Sequence, residues 1–337
     1  MKHRRYFLLM AILFLFQCTG CTPRTKSATK TLFAMDTVMT LTAYGANAEE
    51  AIAVAAEKLF ELDRLLSVTR ADSEIYRLNA AGGEAVTLSP EVYSLIKAAV
   101  TYSEEFCGYY DLTVKPLVEA WGFYDDDYSV PDAQELRAVL DAVDFHNVLL
   151  EDAYTVRLLH DAQLDLGGIA KGYAAELVRA IFEDYQIEGA VLDLGGNVLT
   201  MGEKADGTPW RVAVRSPFQP DEQLCILSVP EKALVTSGSY QRFFEAEGVR
   251  YHHILDPVTG APADSDLLSV TVITEDASYA DALSTALFVM GYDQAVDYWR
   301  EHGNFEAVFV RQTGEVSCTP SVFPWVEAAA FAITTVE

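Results

Sequence analysis

Asp281 and Thr285 stand four residues apart in a segment, residues 279–290, whose apolar spacing predicts a helix. Their oxygens then fall on one helix face about one turn apart. A carboxylate, a hydroxyl and backbone carbonyls make a set of hard oxygens suited to Mg2+. The alternative for the same pair is a helix-surface carboxylate of little weight for stability and a threonine bonded back to its own helix. Two histidines, His252 and His253, lie on an apolar strand that runs into Ile254-Leu255-Asp256-Pro257. Neighbours on a strand point to opposite faces, so only one of the two looks into a given site. Asp256 stands close enough in sequence to orient it as a general base.

Asp165-Leu166-Gly167-Gly168-Ile169-Ala170-Lys171-Gly172 puts two glycines where a strand turns into a helix. Backbone amides approach an anion closely there, and a helix N-terminus favours negative charge. Lys171 in the first turn opposes the helix dipole unless an anion sits beside it. The spacing is not that of a Walker A loop. Asp193-Leu194-Gly195-Gly196-Asn197 is a second pair of glycines after an apolar run, and by itself reads as a plain turn. Thr236-Ser237-Gly238-Ser239-Tyr240 gathers hydroxyls around a glycine. It is either a donor loop for phosphate or ribose oxygens or a cap for a helix over 241–245. No G-x-S-x-G nucleophile elbow is present, so a serine-hydrolase triad is not supported.

The elements that must carry these groups form an α+β pattern. A strand is expected over 32–44, then a helix after Asn47 with Ile52, Ala56, Leu59, Leu62 and Leu66 on one face. Ser89-Pro90 opens a helix toward Phe106, and further helices are expected over 132–143, 169–185, 279–290 and 293–302. A hairpin is expected over 148–166. Short strands follow over 190–194, 211–215, 224–229, 251–255 and 268–274, with two more at the end. Helix and strand do not alternate regularly, which excludes a doubly wound parallel sheet.

The chain has 337 residues, half of them hydrophobic, with 50 acidic against 24 basic residues and a net charge of −26. Disorder is excluded, and so is duplex nucleic acid as a partner, because that needs a basic footprint. Lys2, His3, Arg4 and Arg5 precede an apolar run over 6–16 that is too short to span a membrane and reads as a secretory signal. Cys18-Thr19-Gly20-Cys21 resembles a bacterial lipoprotein lipobox with Cys21 acylated. The expected organisation is a signal peptide over 1–20, a polar tether over 21–31 and one catalytic unit over 32–337. The protein is then exported and anchored to a membrane on the extracytoplasmic side. Cys107, Cys225 and Cys318 are too few and too scattered for a disulfide framework or a zinc site, and are expected in the core.

Several further motifs accompany these stretches in a fixed order: Ala34-Met35-Asp36-Thr37, Ser73-Glu74-Ile75-Tyr76-Arg77-Leu78-Asn79, Gly108-Tyr109-Tyr110-Asp111-Leu112-Thr113-Val114 and Trp121-Gly122-Phe123. Together they resemble the FAD:protein FMN transferases of the ApbE family, long described as thiamine biosynthesis lipoproteins, from about Phe33 to Gly291. The resemblance implies an ApbE-like T-fold unit that holds FAD in a cleft between subdomains. It implies Mg2+ held by the Gly168 carbonyl, Asp281 and Thr285, and FAD contacts from Met35, Tyr109, Tyr110, Asp111, Asp165, Lys171 and Ile254. His253 matches the catalytic histidine. Thr69 stands where relatives often have an aromatic residue. The implied reaction moves FMN from FAD to a Ser or Thr hydroxyl of an acceptor protein and releases AMP. Acceptors in the family are redox-pump subunits or exported flavin-bearing electron-transfer proteins. The alternatives are an Mg2+-dependent FAD pyrophosphatase, tuned in the region of Asn79, and an FAD-binding lipoprotein without turnover.

Overall fold

The computed structural model describes residues 26–204, 206–219 and 222–336, so the signal peptide and Cys21 lie outside the described residues. Met35 and Asp36 take left-handed φ angles of 48° and 57° and turn the chain between β1 (Ser27–Ala34) and β2 (Thr37–Tyr44). The single strand expected over 32–44 is therefore a hairpin. Met-Asp carries neither Gly nor Asn, so nothing in its composition announces the turn. The expected tether ends earlier than thought, because residues 27–31 belong to β1. Thr29 and Thr31 face Thr42 and Thr40 across the pair, with hydroxyl oxygens 3.1 and 3.4 Å apart. An edge strand with one solvated face needs few apolar residues, which is why it reads as polar linker.

Seven further strands complete the sheet: β3 (Gly189–Leu194), β4 (Asn197–Gly202), β5 (Ala233–Gly238), β6 (Leu267–Thr274), β7 (Glu306–Arg311), β8 (Val316–Cys318) and β9 (Ile333–Thr335). They lie in chain order from β1 to β9. Every neighbouring pair is antiparallel except β8 and β9. The helices enter as insertions: α1 (Ala48–Leu66), α2 (Glu74–Asn79), α3 (Pro90–Glu105), α4 (Lys115–Ala120), α5 (Ala133–Leu140) and α6 (Ala170–Asp184) between β2 and β3, then α7 (Ala277–Met290) and α8 (Tyr292–His302) between β6 and β7.

Both faces of the central strands are covered, which accounts for their nearly unbroken apolar runs. Ala307 and Phe309 of β7 point to the main core under the helices. Val308 and Val310 point to a second core, beneath a small sheet of Trp210–Arg215, Gln223–Val229 and Val326–Ala329. A third cluster, Leu117, Trp121, Phe123 and Leu255, joins α4 to the hairpin of Phe243–Ala246 and Val249–His252. That hairpin replaces the helix considered over 241–245, and Thr236 to Gly238 lie inside β5 rather than in a loop. Phe243 and Phe244 favour the strand, with the Arg250 guanidinium 4.0 Å from the Phe243 ring centroid.

Ser89 caps α3 through Val92 N–H, and Asp132 and Glu135 form a capping box on α5. Asn47 sits at the start of α1 but does not cap it; its Nδ2 donates to the Tyr185 carbonyl. The hairpin expected over 148–166 shrinks to Val148–Glu151 and Thr155–Leu158. Cys225 and Cys318 are buried, whereas Cys107 is exposed at a positive φ just past α3.

The closest helix contact is between α6 and α7. A Cβ on Gly172 would stand 2.1 Å from the Ala277 carbonyl oxygen and 2.8 Å from Asp281 Cβ. Replacing Gly172 with Ala should therefore cost about 1–3 kcal/mol, the usual penalty for overpacking. Urea denaturation would measure it, and an unchanged midpoint would contradict the contact.

Candidate active site

Close approach of α6 to α7 brings the first group of functional residues together. Asp281 is only 5% exposed, so it is not the surface carboxylate considered above. Helix α7 is wedged among the sheet, α6 and α8, and buries nearly its whole circumference. One Asp281 oxygen accepts the Gly172 N–H at 2.8 Å, and the carboxylate has no ion-pair partner among the described residues. Thr285 lies one turn on, its Oγ1 3.4 Å from Ser237 Oγ, which in turn is 2.8 Å from Ser284 Oγ. The point that a Cβ of Gly168 would occupy is 3.6 Å from Thr285 Oγ1 and 3.0 Å from Tyr110 Cε2. Gly168 thus stands beside Thr285, one turn along α7 from Asp281.

The glycine turn is set by Asp165. Its Oδ1 accepts the Gly167 N–H at 2.6 Å and its Oδ2 accepts the Tyr124 hydroxyl in a short bond. Ile169 follows at the N-cap of α6 and offers no side-chain acceptor to the first-turn amides. A buried carboxylate without a cation is costly. Beside it stand a hydroxyl and a backbone turn, and among the described residues no group of three His, Cys, Asp or Glu forms an alternative metal site. This donor chemistry fits a hard divalent cation.

His253 supplies the second group. Its backbone N–H and its Nδ1 both lie 3.1 Å from the Arg242 carbonyl oxygen. A carbonyl only accepts, so Nδ1 carries the proton and Nε2 is left as the acceptor. Burial pulls the imidazole down to about 4; the Arg242 carbonyl opposes this, and the charges of Lys171, His252 and Arg242 reinforce it. His252, the last residue of its strand, is buried edge-on to Phe288 at 5.4 Å, while His253 lies just past the strand end. Asp256 does not orient His253. Its carboxylate closes its own turn, accepting Val258 N–H at 2.8 Å and the Thr259 hydroxyl at 3.0 Å. Phe123 flanks the imidazole with ring centroids 6.5 Å apart, and its carbonyl accepts an Arg242 N–H.

The remaining candidates frame the space between. Met35 N–H donates to Asp63 at 2.7 Å, fixing the β1–β2 turn, and the Tyr109 hydroxyl donates to Gln294 at 2.6 Å. The Asp111 carboxylate is occupied by Thr113 N–H, the Thr113 hydroxyl and Phe145 N–H at 2.7, 2.6 and 3.0 Å, so it shapes the 109–113 turn. Tyr110 and Ile254 are buried, and Lys171 is half-buried at the start of α6. A cavity of about 610 Å³ lies alongside, with Thr69, Tyr76, Asn79, Lys115, Tyr124 and Gln163 among its walls. Asn79 is clamped by both ends of its amide to Leu164, at 2.9 and 2.7 Å. Tyr124 and Arg242 are the residues that sequence reasoning missed. Arg242 contributes a main-chain oxygen, and nothing in the type or spacing of either marks it.

A glycine turn at a helix N-terminus, a hard-oxygen set and a neutral histidine are the parts of a phosphoryl-transfer centre. A sequence profile of the ApbE family matches residues 35–309. A protein of Treponema pallidum named FAD:protein FMN transferase is 33% identical over 327 residues, covering 91% of this chain and 90% of its own. One of the same name from Klebsiella pneumoniae is 38% identical over 270 residues, covering 77% and 83%. The crystal structure of the ApbE protein of Thermotoga maritima superposes with a TM-score of 0.84 at 33% identity, over 90% of this chain and 100% of that one. The apo form of the Pseudomonas stutzeri flavinyl transferase ApbE gives 0.81 at 29% identity, over 91% and 98%. The chain belongs to the ApbE family, and its α+β fold is the one the sequence resemblance implies.

His252 and His253 both titrate lower in the fold than in the unfolded chain, whose histidines sit near 6.5. The unfolded chain therefore binds more protons as pH falls. The contribution is fully present above about 6.5 and is lost as pH drops through that value toward about 4. Urea midpoints should decline over this window, and the His253 ring-proton NMR titration should centre near 4. A midpoint at the free-histidine value would refute the lowered imidazole pKa.

Proposed function

We infer that the protein is an FAD:protein FMN transferase that uses Mg2+, FAD and a protein Ser or Thr hydroxyl as acceptor. The observation that carries this reading is the buried Asp281 carboxylate one helical turn from Thr285, which stands beside Gly168, in a fold that also presents a neutral His253. Mg2+ held by the Gly168 carbonyl, Asp281 and Thr285 would supply charge neutralisation to the pyrophosphate. Lys171 adds a second positive charge at the α6 N-terminus. Nε2 of His253 takes the proton of the acceptor hydroxyl as its oxygen attacks the FMN phosphorus. The bond from that phosphorus to the bridging oxygen breaks, and AMP leaves with the oxygen. The neutral imidazole matters here, because an imidazolium has no lone pair to accept the proton. The names of the relatives support the same reaction.

The acceptor class follows from the same reading. A lipid-anchored, exported enzyme meets exported flavin-bearing redox proteins and redox-pump subunits at the membrane surface, and an acidic chain has no nucleic-acid footprint. Replacing Cys21 with Ser should release the protein into the soluble fraction or leave its signal uncleaved. Fractionation and processing like the wild type would rule out Cys21 as the anchor.

Purified protein given FAD, Mg2+ and an acceptor protein should raise the acceptor's mass by one FMN less water and release AMP. His253→Ala should slow transfer by about 10²–10⁴-fold, the range for a general base, with FAD affinity little changed. EDTA should stop the reaction. AMP with FMN free in solution and never on protein would favour FAD hydrolysis instead.

A further inference from the structure

We propose that Tyr124 is a positioning residue for the cation site, the strut that holds the Gly167–Gly168 turn in register with Asp281 and Thr285. The inference rests on the cation reading given above. Asp165 has two carboxylate oxygens and both are used: Oδ1 accepts the Gly167 N–H at 2.6 Å, and Oδ2 accepts the Tyr124 hydroxyl. The first bond closes a tight side-chain-to-backbone turn two residues long, of the kind Asp makes at chain reversals. A Cβ on Gly167 would lie 2.9 Å from that same Oδ1, so the bonded turn leaves room there only for glycine. Alone, an Asp side chain swings about χ1 and χ2 and carries the turn with it. The phenol removes that freedom.

Tyr124 is itself well held. The Lys115 ammonium sits 5.9 Å from its ring centroid and is fixed by Glu119 and Gln163, each at 2.7 Å. Burial and the Asp165 carboxylate push the phenol far up, so it remains a donor. Next to it in the chain, Phe123 flanks His253 and bonds Arg242, whose carbonyl sets the imidazole tautomer. One dipeptide therefore touches both halves of the site, Tyr124 the cation turn and Phe123 the base. Its backbone fixes their separation without either side chain taking part in the chemistry.

Tyr124→Phe keeps the ring and its Lys115 contact and deletes only the strut. Three readouts separate positioning from general loosening. Mn2+ alone, titrated into FAD-free protein and followed by EPR, should bind about tenfold more weakly than to wild type, the scale of one hydrogen bond to a charged group. The urea midpoint should fall by no more than the loss of one hydrogen bond, about fivefold in the folding equilibrium or about 1 kcal/mol. The His253 NMR titration should keep its midpoint, since Phe123 is untouched. Equal Mn2+ affinity in the two proteins overturns the proposal. So does a fall in urea stability well beyond one hydrogen bond, which would mark a loosened fold rather than a displaced turn. A wild-type protein that binds no Mn2+ overturns the cation reading itself, and the proposal with it.

Discussion

The hydrogen bond from Gly172 N–H to Asp281 is the contact on which the site depends. It exists because α6 and α7 approach until a single Cβ would collide with the backbone of the facing helix. The consequence is chemical as well as steric. A carboxylate packed against a helix start at this range has its rotamer fixed and one lone pair satisfied by an amide dipole. That arrangement leaves its second oxygen free of any cationic side chain among the described residues. The burial that makes Asp281 expensive as a structural residue makes it effective as a ligand, since a charge held away from water binds a cation more strongly.

The base is built on a different economy. His253 lies on the hairpin side, where the nearby charges are positive and the hydrogen-bond partner is a main-chain oxygen. A carboxylate partner would stabilise the imidazolium and raise its pKa, whereas a carbonyl fixes the tautomer with a weaker pull. Substituting the Arg242 side chain leaves that acceptor in place, so the tautomer is set by the path of the chain rather than by residue type. The two halves of the site are thus built differently, one around a carboxylate held by a backbone amide and the other around an imidazole that keeps its lone pair.

Much of this was legible in the sequence. The i, i+4 spacing of Asp281 and Thr285 predicted one helix that the fold keeps. The paired glycines at 167–168 do precede a helix, though from a loop rather than a strand, while His253 falls just past the strand that carries His252. The paired glycines at 195–196 are a two-residue hairpin turn with both φ angles positive, as their composition suggests. What could not be read depends on contacts distant in the chain. Asp256 looked like a partner for histidine because it is near in sequence, yet it satisfies its own turn. Asp281 looked superficial because α7 alone does not reveal that three neighbours enclose it. The Met35–Asp36 turn is hidden because its left-handed backbone is imposed by the strands on either side and by the bond to Asp63, not by residue preference.

The chain order of the sheet has a consequence for how the molecule forms. β1 meets β2 across two residues, but Tyr44 of β2 pairs with Gly189 of β3 only after six helices have been traversed. Closing so long a loop costs entropy that grows only logarithmically with its length, yet the search must come before the pairing repays it. The β2–β3 pairing is therefore the longest-range step of this half of the sheet, and the glycine turn and α6 are the last part of the insertion that it closes. Asp281 and Thr285, however, sit on α7 between β6 and β7, so the two sides of the proposed cation site are delivered by two separate long-range closures of the sheet.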